Sequence, residues 1–363
     1  MVKEGETQRK IPSKRRKFQK IGDESEDDRI SMLPDCVLVE ILSRLPYTKD
    51  AIRTGTLSKR WEHLWTLLPI LVFKHDQNNL PWSDFVLTVD KTLTQCCPWK
   101  LKKFVVNTST YSGFESQVNN WIRYAIRCNV EELDLTLGGV SIEAEFMVDQ
   151  VFFISSCFTH LTLEGCILNP TGAISWKNLR SLCISNGKLD EDLIENILYG
   201  SPLLETLELE WCYGYKRLNI TSKSVKKLVV SEYYDPKYFY DDLHDTLEIN
   251  APNILSLTIK GDMLLEKLSW PNVFSLVKAD LDYRKMRHLC RTSKGRKLKR
   301  FILNHLYLKE LKIGSFCSKV VPHLEAKGFV VPSNITPPGV TYNWSSESES
   351  ESESERESED DSE

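Results

Sequence analysis

The chain contains no Cys-x-x-Cys pair, no glycine-rich phosphate loop, no G-x-S-x-G element and no run of eighteen apolar residues. A membrane-spanning helix needs about 20 predominantly apolar residues, a compact zinc site needs closely spaced cysteines or histidines, and nucleotide or acyl-transfer chemistry needs its glycine-bracketed loops. The ten cysteines are scattered, so reduced, buried thiols are expected rather than a disulfide framework. The seven histidines show no paired metal spacing, and His160, inside a predicted strand, reads as a surface or internally satisfied side chain. Acidic pairs such as Glu131-Glu132 and Asp241-Asp242 read as solvated loops. No metal, cofactor or catalytic constellation is therefore expected, and the chain does not read as an enzyme. The opening MVKEGETQRK is polar with no apolar stretch behind it, so no secretory signal is expected and the cytosol or nucleus is the anticipated compartment.

What is present is an ordinary globular body of 41% hydrophobic and 27% charged residues, with charge concentrated at the two ends. Residues 1–20 carry eight basic and two acidic side chains, and residues 345–363 carry ten acidic and one basic, although the whole chain is only −4. Lys14, Arg15, Arg16 and Lys17 form a short cluster of the kind read by nuclear import receptors, so the nucleus is the first expected location and the cytoplasm the second. The Ser/Glu tail is free of apolar residues and self-repelling, so it is expected to stay disordered, with serines suited to acidophilic kinases.

Between residues 29 and 72 three short helices are predicted. Leu33-Pro34-Asp35 opens the first, where proline is tolerated and aspartate complements the helix dipole. Val37, Leu38, Ile41, Leu42 and Leu45 follow as one apolar stripe up to Pro46. Thr48 is a candidate N-cap of a second helix ended by Gly55, and Leu57-Ser58 leads into a third on which Trp61, Leu64, Trp65 and Leu68 fall three and four apart. About 40 residues bury too little surface to be stable alone without a disulfide, metal or partner. The ordered motifs LPD, ILSRLP and LSKRWEHLW resemble an F-box. That resemblance implies docking on a Skp-type adaptor, with Leu33, Pro34, Ile41, Leu42 and Leu45 as the main contacts and Leu57, Trp61 and Trp65 divided between contact and core.

From Leu101 a pattern L-x-x-L-x-L returns repeatedly, with central positions Phe104, Leu133, Leu161, Leu182, Leu207, Leu228 and Leu257, 21 to 29 residues apart. Such spacing describes leucine-rich repeats, each giving one strand and a returning segment, which stack because a single unit cannot bury its apolar side. Strand alternation sends the last two apolar positions of each motif inward and the residue between them outward. Outward residues Val105, Asp134, Thr162, Cys183, Glu208, Val229 and Thr258 are thus the expected target contacts. Residues 185–199 read as a turn and an amphipathic helix closed by Gly200-Ser201-Pro202, and LKELKI at 308–313 as a late strand. No asparagine or cysteine ladder is evident.

The class expected is α/β: a polar segment at 1–28, the three-helix module at 29–72, a helical connector at 73–100, an irregular leucine-rich-repeat solenoid with a concave parallel sheet and terminal cap at 101–330, and a tail at 331–363. GSPLLETLEL and LEINAPNILSLTIKGD resemble plant F-box proteins with leucine-rich repeats. The resemblance implies a non-catalytic substrate receptor of a Skp-cullin-F-box ubiquitin ligase, partnered by the adaptor, through it by cullin, and by a target protein. The alternative is a nuclear scaffold whose acidic tail holds basic proteins without ubiquitin transfer. Nucleic-acid association through Lys14–Lys17 and the basic cluster at 284–300 ranks below both, and no membrane partner is expected.

Overall fold

A computed structural model describes residues 30, 32–75, 81–96, 101–108, 114–138, 146–233, 247–261, 268–283, 291–314, 321–322, 325–326, 328–330, 332 and 335–336. The import cluster Lys14–Lys17 and the Ser/Glu tail lie outside them. The helices are α1 (Asp35–Ser43), α2 (Thr48–Thr54), α3 (Trp82–Gln95), α4 (Glu115–Arg127), α5 (Gln150–Phe153), α6 (Glu191–Gly200) and α7 (Arg291–Asn304). The strands are β1 (Ile70–Lys74), β2 (Lys103–Thr108), β3 (Glu132–Leu137), β4 (Phe146–Met147), β5 (His160–Glu164), β6 (Cys166–Ile167), β7 (Ser181–Ser185) and β8 (Thr206–Glu210). They continue with β9 (Arg217–Asn219), β10 (Lys227–Ser231), β11 (Leu247–Asn250), β12 (Ser256–Gly261), β13 (Leu268–Asn272), β14 (Lys278–Tyr283), β15 (Glu310–Ile313) and β16 (Ile335–Thr336). Among these helices none is long and apolar enough to cross a membrane.

Eleven strands form one parallel sheet in the order β1-β2-β3-β5-β7-β8-β10-β12-β14-β15-β16. Leu71, Phe104, Leu133, Leu161, Leu182, Leu207, Leu228, Leu257, Ala279 and Leu311 stand opposite one another in a single register row. All seven repeat centres predicted from the spacing lie in that row, and every residue of it is buried. One carbonyl per turn locks the stack, each accepting two amides of the next unit: Thr159 O takes Arg180 and Ser181, Arg180 O takes Glu205 and Thr206, and Glu205 O takes Lys226 and Lys227. On the returning side a three-stranded parallel sheet, β13-β11-β9, adds a second layer. The predicted helix after Ser185 is α6; the Asp190 carboxylate accepts the Leu193 amide at its N-terminus, and Ile194 and Ile197 turn inward.

Three expectations are corrected. The sheet begins at Ile70, not at Leu101: Leu68, Leu71 and Phe73 supply the first L-x-x-L-x-L unit, β1 pairs with β2, and α3 within the supposed connector is that unit's returning helix. The third predicted helix is a run of turns ending in a 3-10 helix, Leu64–Leu67. There the Trp65 indole N–H takes the Glu62 carbonyl and the Thr66 hydroxyl takes that of His63, giving the backbone carbonyls side-chain partners in place of α-helical ones. The repeats also carry an asparagine ladder, on the small sheet: Asn272 Nδ2 donates to Asn250 Oδ1 at 3.1 Å, and Asn250 Nδ2 to Asn219 Oδ1 at 2.6 Å. Cysteine burial is mixed among the described residues, with Cys36 exposed and Cys96, Cys166 and Cys212 buried.

Candidate functional site: a helical docking face joined to an open sheet face

Helix α1 has two apolar edges. At 100° per residue the stripe of Val37, Ile41, Leu38 and Leu42, with Leu45 just past the helix end, spans about 140° in the order Val37, Ile41, Leu45, Leu38, Leu42. Burial follows that angular order: Leu38 and Leu42 are enclosed, Leu45 is half-buried, and Val37 and Ile41 are 39% and 41% exposed. Of the predicted contacts, Pro34 and Ile41 face solvent and Leu57 is 68% exposed, while Leu33 packs partly against the core. Leu42, Trp61 and Trp65 are buried in the same core, so in this fold they support the face rather than form it. The expectation that Leu42 is a contact took the stripe as one face; its inward edge is already covered by the chain.

Val37, read in the stripe but not among the predicted contacts, completes its open edge. One feature was not read from the sequence. Arg60, within LSKRW, donates to Asp35 Oδ1 from Nη2 at 2.6 Å and from Nε at 3.1 Å, and also to the Leu33 carbonyl, tying the end of the module to the LPD turn at its start.

The second surface is the face of the large sheet opposite the core. Val105, Asp134, Thr162, Cys183, Glu208, Val229 and Thr258 lie in one register row across β2 to β12, between Val72 and Asp280. Six of the seven are partly exposed, but Val105 is only 9% exposed. It adjoins Val72 at the apolar start of the row, which removes it from the expected contacts. Burial lifts the Asp134 carboxyl above its ordinary range, against the opposing effects of the Thr136 hydroxyl and Lys103. Burial first, then the negative charges of Glu210 and Asp134, raises Glu164, although Asn186 donates to it at 3.3 Å. The Cys183 thiol is pushed up to about 11, chiefly by burial, so it is not a thiolate nucleophile. Among the described residues no group of three or more His, Cys, Asp or Glu could hold a metal ion.

The docking module and the solenoid share one core running from Leu38 to Phe329. Thr48, predicted as an N-cap, is instead the first residue of α2, and its hydroxyl accepts the Val72 amide on β1. The arrangement defines a class: a short helical module fused to the end of a parallel leucine-rich-repeat solenoid.

Comparison with known proteins gives the family. An F-box domain model matches residues 30–73, and the model described as "At1g61320/AtMIF1, LRR domain" matches residues 93–294. F-box/LRR-repeat protein 25 of Arabidopsis thaliana is 34% identical over 64% of this chain and 86% of its own length. F-box/LRR-repeat protein At5g02910 of the same plant is 33% identical over 70% of this chain and 52% of its own length. Putative F-box/LRR-repeat protein At5g02930 is 35% identical over 55% of this chain and 40% of its own length, so the chain spans about half the length, or less, of these longer relatives. The chain belongs to the F-box/LRR-repeat family.

Proposed function

We propose that the chain is the substrate receptor of a Skp-cullin-F-box ubiquitin ligase, docking on a Skp-type adaptor through Pro34, Val37, Ile41 and Leu57 and holding a target protein on the open sheet face. The observation that carries this reading is the uncovered half of the α1 stripe in a family whose F-box domains bind such adaptors. Aliphatic side chains left open beside a filled core mark an interaction surface. The mechanism is proximity: two binding events on one frame make attack of a target lysine on activated ubiquitin effectively unimolecular, so the receptor supplies positioning and no nucleophile. The shared core supports it, because a target held on the sheet keeps a fixed relation to the adaptor. We assign the Lys14–Lys17 cluster to nuclear import, tested by the location of a fluorescent fusion with all four replaced by alanine.

The test is co-expression with a Skp-type adaptor and size-exclusion chromatography, comparing wild type with Leu33→Ala/Pro34→Ala. A one-to-one complex lost in the variant upholds the reading. Folded wild-type protein that elutes free of several such adaptors removes it.

A further inference from the structure

Charge is not spread evenly over the open sheet face. The outward positions of β3, β5, β7 and β8 carry five carboxylates, Glu132, Asp134, Glu164, Glu208 and Glu210, and no lysine or arginine. Lysines return on the strands to either side, and each engages the nearest carboxylate: Lys103 Nζ lies 3.6 Å from Glu132 and Lys227 Nζ lies 2.6 Å from Glu208. Asp134, Glu164 and Glu210 form no ion pair among the described residues. Glu164 and Glu210 share a register row with Ser185 between them, which at ~4.8 Å per strand separates their backbones by about 10 Å.

An exposed aromatic residue follows the last of them in the chain. Trp211 follows Glu210 directly, is 42% exposed, and holds a left-handed backbone with φ of 53° while its amide donates to the Ser231 carbonyl at 3.0 Å. An exposed indole next to unpaired carboxylates suits a cationic side chain, which gains from the ring face and from the negative charges together.

We infer that the sheet face over β3, β5, β7 and β8 receives a basic, extended segment of the target protein, its lysine or arginine side chains meeting Asp134, Glu164 and Glu210 and one of them covered by Trp211. An extended segment laid across the strands places same-side residues about 7 Å apart, and long flexible stems cover the difference from the carboxylate spacing. The uplifted carboxyl of Glu164 agrees with this: burial raises it first and the negative charges of Glu210 and Asp134 add to that, a repulsion that a cation would relieve. The inference rests on the substrate-receptor reading in taking the occupant to be a target.

The test uses the full chain bound to its adaptor and two fluorescent peptides, one alternating lysine with serine and one alternating glutamate with serine, followed by anisotropy. The lysine peptide should bind, weaken as salt is raised, and lose about tenfold in affinity in Glu164→Gln/Glu210→Gln and severalfold in Trp211→Ala. Lys260→Gln, on the same face beyond the acidic strands, should not weaken it. A further variant with the tail glutamates from Glu347 to Glu359 changed to glutamine should bind as wild type. Binding that follows the tail changes instead of the face changes, equal binding of both peptides, or none, overturns the inference. Adaptor retained in the same samples would then leave the ligase reading standing, whereas loss of the adaptor from wild type would remove that reading separately.

Discussion

The hydroxyl of Thr48 accepts the backbone N–H of Val72 at 2.7 Å, joining the second helix of the F-box to the first strand of the repeat sheet. Val72 lies on the sheet's terminal strand, whose other neighbour is β2, and Thr48 is buried. Replacing Thr48 by valine keeps the volume but strands a part-buried donor, at a cost of about 1–3 kcal/mol. Thr48→Val should lower the melting temperature of the whole chain in one transition and speed hydrogen exchange at Val72. A variant that melts as wild type, or in which the F-box alone loosens, would show that the joint carries no stability.

The two edges of α1 should separate experimentally. Leu42→Ala opens a cavity in a filled core and should cost about 2–5 kcal/mol, read by chemical denaturation. Ile41→Ala removes a side chain already in solvent and should change stability by less than about 0.5 kcal/mol, yet reduce adaptor capture. Arg60→Ala belongs with Ile41, because it frees the LPD turn while leaving the core intact. Equal losses of stability for Leu42→Ala and Ile41→Ala would contradict the burial order.

Glu164 yields a pH test whose sign is fixed. Its folded-state carboxyl lies above the ordinary value of 4.5, mainly through burial and then through Glu210. A carboxyl raised on folding binds its proton more tightly in the native state, so its ionised form opposes folding above the folded pKa and the penalty disappears as pH falls to the unfolded value. Glu164→Gln, still able to accept from Asn186, should therefore be more stable than wild type at neutral pH. The gain should shrink on acidification and be absent below about 4.5. Melting curves from acid to neutral pH decide this; a variant less stable than wild type at neutral pH would exclude it.

The repeat body was legible at the seven predicted centres from Phe104 to Leu257 and at the late strand around Leu311. It was lost at three strands for different reasons: Leu71 lies immediately behind a helical module with a strong pattern of its own, Ala279 offers too small a side chain to register as a centre, and Ile335, opposite Leu311 on the last strand, sits in the proline-rich stretch read as tail. The asparagine ladder escaped because its members, Asn219, Asn250 and Asn272, belong to short strands on the returning side at unequal spacing. The outward row could be read, since alternation along each strand sends one residue outward whatever its type. The docking face could be read only in part. Periodicity places Ile41 and Leu42 on the same stripe, and only the packing of Trp61 and Trp65 decides which edge is covered. Trp211 gave no signal, because an indole in a left-handed turn contradicts its residue type.

That turn recurs at the end of successive strands. Gly165, Asn186, Trp211, Glu232 and Gly261 all have positive φ, and the amides of the first four reach the carbonyl of the following unit. Gly165 is the most constrained, since a Cβ there would lie 2.1 Å from the Leu137 carbonyl oxygen, on the neighbouring strand. Gly165→Ala must displace backbone as well as adopt a disfavoured conformation, so the loss should exceed about 1 kcal/mol and spread to β3 and β5 in hydrogen exchange. Gly172 is the control: a Cβ there meets nothing within 4 Å, and its φ is not positive. Gly172→Ala should be neutral or stabilising by up to about 1 kcal/mol, because alanine narrows the unfolded ensemble without a folded-state clash. If both alanine variants lost the same stability, the difference would lie in glycine's general flexibility and not in the contact with Leu137. The strand-end turn would then have no part in holding the units together.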